Sequence, residues 1–301
     1  MPARDNPLAI VSLFAGAIVW GLIWYPYRLL EGAGIPPVAA TTATYLVALL
    51  LGAVLLRRRL AGLRVSWMLV LMALAAGGCN LGYVLATVSG VVMRVLLLFY
   101  LAPLWTVLLA RLLLGERLRP AGVPVVAFAF AGAVFMLWQP RLGLPLPAVA
   151  AEWLGLGAGF LFALTNVLIR RMRTLSIEVK SMAVFAGVVA VGACAQPFVA
   201  APASAPEPGA WLLVVAVGGV LFGINLVVQY GLMRTTASRA VVIFLFELVV
   251  AAAASWLLAG EAMTAREWIG GSMIVAASLF SGLLDEQQAA AEAEGDRQHA
   301  G

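Results

Sequence analysis

The chain has 301 residues, of which 63% are hydrophobic and only 11% are charged. About a quarter of the residues in an ordinary soluble domain are charged, so this composition excludes a soluble enzyme or a soluble binding domain. The formal net charge of +5 does not indicate a nucleic-acid partner, because the arginines border apolar segments and form no basic stripe.

Ten apolar runs follow one another along the chain. Each is close to the roughly 20 residues that a transmembrane helix needs. Short loops with Pro and Gly separate them and leave no room for a soluble domain. The predicted spans are residues 8–30, 36–56, 66–87, 91–114, 120–138, 152–172, 180–200, 210–233, 239–260 and 266–284. The sequence therefore predicts an all-α integral membrane protein with ten transmembrane helices.

The basic residues predict how the chain crosses the membrane. Of nineteen Lys and Arg residues, four lie on one side, Arg111 lies within a span, and the other fourteen lie on the opposite side. Because cationic loops tend to stay in the cytoplasm, we expect both termini there, with the protein in a bacterial inner membrane. The four residues of the outer side are Arg28, Arg94, Arg141 and Arg266.

The chain matches itself without gaps at an offset of 145 residues. Nine identities fall within 39 positions: Gly78/Gly223, Asn80/Asn225, Leu81/Leu226, Arg94/Arg239, Phe99/Phe244, Leu112/Leu257, Leu113/Leu258, Gly115/Gly260 and Glu116/Glu261. Five spans per half is an odd number, so the second half inserts upside down, as in transporters built from inverted repeats. We expect repeats at 1–139 and 152–284, joined by a loop at 140–151 and followed by a polar cytoplasmic tail at 285–301. The alternative is a duplication that serves packing only.

Two segments resemble a known family. The stretch from Ala102-Pro103 to the Leu-Leu-Leu-Gly-Glu-Arg-Leu of residues 112–118, and its counterpart from Phe246-Glu247 to Gly260-Glu261, resemble the EamA repeat of the drug/metabolite transporter superfamily. Trp20-Gly21 is similar to the opening pattern of that repeat. The resemblance implies an inverted-repeat transporter that moves small metabolites, often outward, and it leaves the substrate open. Leu248 stands where a Pro often follows the Glu, which puts a kink there in doubt.

Of the fourteen acidic residues, thirteen are predicted to lie in loops, at span ends or in the polar tail, and Glu247 alone lies well inside a span. A carboxylate in hydrocarbon costs several kcal/mol unless it is paired, hydrated or protonated. We predict that Glu247 binds a cationic or amino group of the substrate, or carries a coupling proton. The alternative is a structural carboxylate that Arg239 or helix-end donors neutralise.

Four side-chain amides within the predicted spans are candidates for the substrate site. Asn80 and Asn225 occupy matching places in the third and eighth spans, and Gln229 follows Asn225 by one helical turn. With Asn166 of the sixth span, Asn225 and Gln229 are predicted to converge on the cytoplasmic side of a central cavity. Amides in membranes also bridge helices, so packing is an equal alternative for the matched asparagines.

Aromatic residues add to the predicted substrate site. Tyr83 shares a helix face with Asn80, and Tyr100 lies in the fourth span. Trp20 lies too deep in the first span for an interfacial position, so it lines the cavity or contacts lipid. Tyr25 and Tyr27, nearer the outer end of that span, fit an interfacial aromatic belt.

Arg94 and Arg239 each open a span, on opposite sides of the membrane. We predict that each guards one entrance, either attracting an anionic group or pairing with an acid. The alternative is ordinary snorkelling to lipid headgroups. Pro26 and Pro103 are predicted to kink the first and fourth spans.

The leading interpretation is a secondary transporter that exports a small amino-acid-like or amphiphilic metabolite by alternating access. Lipid and the substrate are its expected partners, with the proton as a candidate coupling ion. We expect no cofactor, metal or enzymatic activity, because the chain has one His, two Cys and no Gly-Lys-Ser phosphate loop. The alternatives are a passive channel and a membrane enzyme acting on a lipid-linked substrate.

Overall fold

The computed structural model describes residues 7–59, 65–115, 122–137, 147–172, 174–199, 206–232, 234, 243–244, 246–277 and 279–280. Helices dominate these ranges, and no strand occurs in them. Seven helical segments in this part of the chain are long and apolar enough to cross a membrane: Pro7–Gly32, Pro37–Leu55, Trp67–Ser89, Val92–Leu114, Ala150–Arg171, Ile177–Phe198 and Pro208–Gly231. They coincide with seven of the ten predicted spans, and the count of ten stays a prediction.

The helices are numbered in chain order. They are α1 (Pro7–Leu22), α2 (Trp24–Gly32), α3 (Pro37–Leu55), α4 (Trp67–Ser89), α5 (Val92–Phe99), α6 (Ala102–Leu114), α7 (Gly122–Leu137), α8 (Ala150–Arg171), α9 (Ile177–Ala195), α10 (Pro208–Leu232), α11 (Phe246–Ala259) and α12 (265–277). A short 3-10 helix, Gln196–Phe198, extends α9.

Two of the spanning segments are interrupted, and proline explains both breaks. Proline has no backbone N–H, so the carbonyl four residues earlier loses its helical partner. For Pro26 that carbonyl belongs to Leu22, the last residue of α1, and for Pro103 it belongs to Phe99, the last residue of α5. The helices are thus interrupted next to both prolines, the bend at each stays a prediction, and the second break leaves Tyr100 between two helices.

Contacts between helices far apart in sequence hold the bundle together. Helix α4 packs on α8 and α9, α3 packs on α9 and α10, and α1 packs on α10 and α11. Glycine permits the closest approaches: a Cβ at Gly187 of α9 would collide with the backbone of Ala73 in α4, and one at Gly218 of α10 would lie 2.6 Å from the carbonyl oxygen of Thr44 in α3. Small residues are the usual means of close helix contact in membranes.

Tyr27 of α2 lies in the interior and not at the lipid interface. Its side chain is buried, and its hydroxyl is hydrogen-bonded to Thr44 Oγ1 of α3 at 2.8 Å. The prediction of an interfacial belt is therefore wrong for Tyr27. A phenol hydroxyl buried among helices needs a polar partner, and Thr44 supplies it.

Candidate functional site

Glu247 lies in the first turn of α11. Helix α1 comes so close to it that a Cβ at Gly21 would lie 2.8 Å from the Glu247 carbonyl oxygen. Tyr100, at the break between α5 and α6, donates a 2.9 Å hydrogen bond from its hydroxyl to Glu247 Oε2. The carboxylate therefore lies where elements of both halves meet.

Aromatic rings surround the Tyr100 side of this contact. The ring of Phe99 is 5.5 Å from that of Tyr83, 6.0 Å from that of Tyr100 and 5.1 Å from that of Phe162, measured between centroids. These rings come from α4, α5, the α5–α6 break and α8. We call Tyr83, Phe99, Tyr100, Phe162 and Glu247 the aromatic site.

The hydroxyl of Tyr83 is buried and has no hydrogen-bond partner within the described residues. Tyr83 and Tyr100 both pack against the core cluster that contains Leu248, the residue after Glu247. A buried polar group without a partner costs roughly 1–3 kcal/mol, so native structures rarely leave one unless it has a role. Trp105 Nε1, at the contact of α6 with α8, is the other such atom in the described part of the chain.

The matched asparagines bridge helices. Asn80 Oδ1 accepts a 2.5 Å hydrogen bond from the hydroxyl of Tyr45, and its Nδ2 donates to the Ala76 carbonyl at 2.8 Å. Asn225 Oδ1 accepts a 2.8 Å hydrogen bond from Ser181 Oγ. The first contact joins α3 to α4 and the second joins α9 to α10, which favours the packing alternative for both residues.

Three other predicted substrate-binding residues, Trp20, Asn166 and Gln229, are half-buried in the described helices. Trp20 of α1 packs against the core cluster that contains Tyr45. Asn166 lies in α8 and Gln229 in α10. Arg239 lies outside the described residues.

Arg94 is paired with two acids. Its Nη1 lies 2.9 Å from Glu152 Oε1, and its Nε lies 2.5 Å from Glu267 Oε1. The side chains of Glu152 and Glu267 are only 4% and 6% exposed. The second oxygen of Glu152 accepts from the backbone N–H of Ala148, and that of Glu267 accepts from the N–H and hydroxyl of Thr264. We call Arg94, Glu152 and Glu267 the Arg94 cluster.

A second ion pair lies nearby. Arg28 Nη2 is 2.8 Å from Glu261 Oε1, and Glu261 Oε2 accepts a 2.8 Å hydrogen bond from the backbone N–H of Val92. Arg28 also donates to the carbonyls of Thr87 and Gly90 at the end of α4.

Sequence reasoning missed the acids of these pairs by treating them as ordinary loop or span-end residues. One local signal was readable: Thr264 and Glu267 stand three residues apart, as in a helix capping box. Nothing comparable in the sequence marks Glu152 or Glu267 as a partner of Arg94.

Comparisons with known proteins agree with this architecture. A family model described as the EamA-like transporter family matches residues 7–138 and 149–283. A riboflavin transporter of Rhizobium johnstonii is 29% identical over 187 residues, a match that covers 60% of this chain and 58% of the relative.

A solved crystal structure shares the fold. Its chain is 24% identical, and the superposition has a TM-score of 0.60 over 92% of this chain and 98% of the other. The two family matches together cover most of the sequence, and the helices in both matched regions are apolar. The chain therefore belongs to the EamA-like transporter family of the drug/metabolite transporter superfamily, and it is a multi-pass membrane protein.

Proposed function

We propose that this transporter exports a small, flat, aromatic metabolite by alternating access, and that it binds the metabolite at the aromatic site. The observation that carries the proposal is a carboxylate and an unpartnered phenol hydroxyl among aromatic rings, between helices of both halves. This class is narrower than the amino-acid-like or amphiphilic metabolite that the sequence predicts.

The geometry of the aromatic site supports a ligand with a flat body and a polar edge. Phe99 and Phe162 offer apolar ring surface, on which aromatic ligands stack or pack edge to face. Glu247 accepts hydrogen bonds from an N–H or O–H group, and the Tyr83 hydroxyl donates to a carbonyl or ring nitrogen. A few polar groups set among apolar side chains are the usual basis of orientation and specificity in ligand binding.

The similarity to the riboflavin transporter of Rhizobium johnstonii supports riboflavin as the first ligand to test. Riboflavin has a planar ring system whose edge carries one N–H group and carbonyl oxygens, together with a ribityl chain of hydroxyls. These groups match what Glu247 and Tyr83 offer. Riboflavin is therefore the substrate that we propose to test first, with aromatic amino acids as the second class.

Glu247 is also the proposed carrier of a coupling proton. A carboxyl group inside a membrane protein is least costly when it is either protonated or paired. The Tyr100 hydroxyl donates to Glu247 in the described state, and arrival of a substrate N–H would replace or supplement that bond. Exchange of a proton for the substrate at one carboxyl group gives antiport without ATP.

Alternating access in this proposal depends on two inverted halves, 1–139 and 152–284. The pattern of helix contacts supports this arrangement. When each helix is replaced by its counterpart in the other half, five spans away, the main helix contacts map onto one another. The contact of α4 with α8 becomes that of α10 with α1, and the contact of α4 with α9 becomes that of α10 with α3. The contact of α6 with α8 likewise becomes that of α11 with α1.

Localisation in the inner membrane with both termini in the cytoplasm completes the proposal. The distribution of Lys and Arg supports it, since basic loops remain on the cytoplasmic side. The test is protease digestion of epitope tags at each terminus in sealed, right-side-out membrane vesicles. Digestion of either tag from outside contradicts the orientation.

The function itself is tested by transport in proteoliposomes. Purified protein is reconstituted with internal riboflavin, and efflux is followed by fluorescence with and without a pH gradient. We expect saturable efflux, counterflow of labelled riboflavin and acceleration by the gradient. Flux that does not saturate contradicts a carrier and indicates a channel. If neither riboflavin nor an aromatic amino acid moves, the proposed substrate class is wrong.

A further inference from the structure

Three of the four ion pairs found among the described residues lie at one end of the bundle, and each joins the first half to the second. They are Arg28–Glu261, Arg94–Glu152 and Arg94–Glu267. We propose that they form a gate that closes this end, and that the Arg94 cluster biases the resting transporter towards the state closed here. The proposal rests on alternating access, and we call this end the ionic end.

The ion pairs and hydrogen bonds of the ionic end join helix ends of the first half to helix ends of the second. These helix ends must separate for this end to open. Glu261, just beyond α11, binds Arg28 and the N-terminus of α5 at Val92. Glu152 lies at the start of α8 and Glu267 in the first turn of α12, and both bind Arg94 of α5. The basic residues all come from the first half and the acidic residues all come from the second. A rocking motion of one half against the other therefore has to break them together.

The opposite end has a weaker counterpart. The one ion pair described there, Arg59–Glu178, has a 2.8 Å contact, but the Arg59 side chain is 71% exposed. Exposed pairs contribute little because water screens them. The Arg94 side chain is 27% exposed and its partners are nearly buried, so their charge-assisted hydrogen bonds are strong. Among the ion pairs of the described residues, those of the Arg94 cluster are therefore better shielded from water than Arg59–Glu178.

The repeat at an offset of 145 residues shows which gate residues have a counterpart of the same type in the other half. Arg28 corresponds to Arg173 and Glu261 to Glu116, so the residue types of this pair recur in the sequence. Arg173 and Glu116 lie outside the described residues.

The acids of the Arg94 cluster have no such counterparts. The position that corresponds to Glu152 holds Pro7, and the one that corresponds to Glu267 holds Gly122. Arg94 itself corresponds to Arg239. A two-fold related cluster therefore cannot form at the opposite end from the equivalent residues. This asymmetry is the reason that the cluster favours one state over the other.

Hydrogen–deuterium exchange of the full chain in lipid nanodiscs tests the gate without substrate or gradient. The main variant combines Arg94→Gln, Glu152→Gln and Glu267→Gln, which removes the ionic bonds and leaves no unpaired charge to prevent folding. We expect amide exchange in residues 84–95 and 258–268 to rise about tenfold, as for the loss of one strong bond. Exchange in residues 52–59 and 174–182, at the opposite end, is expected to fall.

The reciprocal change separates a gate from a structural brace. A brace predicts faster exchange at the ionic end and no decrease at the other, and this result overturns the proposal, as does unchanged exchange at both ends. Arg94→Lys keeps the charge and should shift exchange less than the triple variant. Arg59→Gln is the control and should not raise exchange at the ionic end. Since the exchange experiment uses no substrate, it tests the gate even if the protein does not transport riboflavin.

Discussion

The aromatic site and the ionic end both place polar groups between the two halves, but they differ in how many of these groups have hydrogen-bond partners. At the ionic end, both oxygens of Glu152 and of Glu267 accept a hydrogen bond from Arg94 or from a backbone or hydroxyl donor. At the aromatic site, the described partner of the Glu247 carboxylate is Tyr100, and the Tyr83 hydroxyl has none.

Buried polar groups can have two roles, and this difference in hydrogen bonding distinguishes them. A fully satisfied network stabilises the state in which it is satisfied, because breaking it exposes several unpaired groups at once. A partly satisfied set gains free energy when a ligand completes it. The ionic end therefore suits a gate, and the aromatic site suits a binding site. Each prediction below tests one side of this contrast.

The largest effect is expected from Arg94→Gln. It leaves Glu152 and Glu267 without their cation, and breaking one side of a buried ion pair costs about 3 kcal/mol or more. The triple variant, in which both acids also become Gln, should recover most of that loss because no charge remains unpaired. Thermal unfolding in detergent measures both. Equal destabilisation of the two variants would show that charge pairing is not what the cluster contributes.

Glu247→Gln should lower gradient-driven riboflavin efflux by about a hundredfold, since it removes the ionisable group and replaces one acceptor oxygen with an NH2 donor. Residual transport should no longer respond to the pH gradient. Glu31→Gln makes the same change at an exposed carboxylate of α2 and should leave efflux unchanged. If the Glu247 variant keeps its gradient dependence, another group carries the proton.

Tyr83→Phe and Tyr45→Phe each remove one phenol hydroxyl, but only the Tyr45 hydroxyl has a described hydrogen-bond partner. The Tyr83 hydroxyl has no described partner, so its loss should leave the Tm unchanged or higher and raise the KM for riboflavin about tenfold. The Tyr45 hydroxyl binds Asn80, so its loss should lower the Tm and change KM little. The opposite assignment of the two effects contradicts the proposed site.

The smallest effect is expected from Asn225→Ala. Its bond from Ser181 joins α9 to α10, and such bonds in membrane proteins average about 0.6 kcal/mol. Ser181→Ala should cause a similar loss, and the double variant should add little to either single change. A rise in KM for riboflavin with unchanged Tm would instead restore Asn225 as a substrate-binding residue.

The sequence determined the apolar segments and the breaks within them. Length and hydropathy placed the seven spanning segments, because a lipid bilayer requires continuous apolar helices. Pro26 and Pro103 determined where two of them are interrupted, because the missing N–H acts locally. Glu247 and Tyr100 stood out for a similar reason, since polar groups are rare in such segments.

The tertiary structure decided which polar groups meet. Arg94 lies 58 residues from Glu152 and 173 from Glu267, and nothing local in the sequence specifies either contact. In a soluble helix, an apolar stripe marks the buried face, but in a membrane the face towards lipid is apolar as well. Leu112 and Leu257, for example, are both 69% exposed in this structure. Only the packed helices therefore distinguish Asn80, which bridges α3 and α4, from Tyr83, whose hydroxyl has no partner within the described residues.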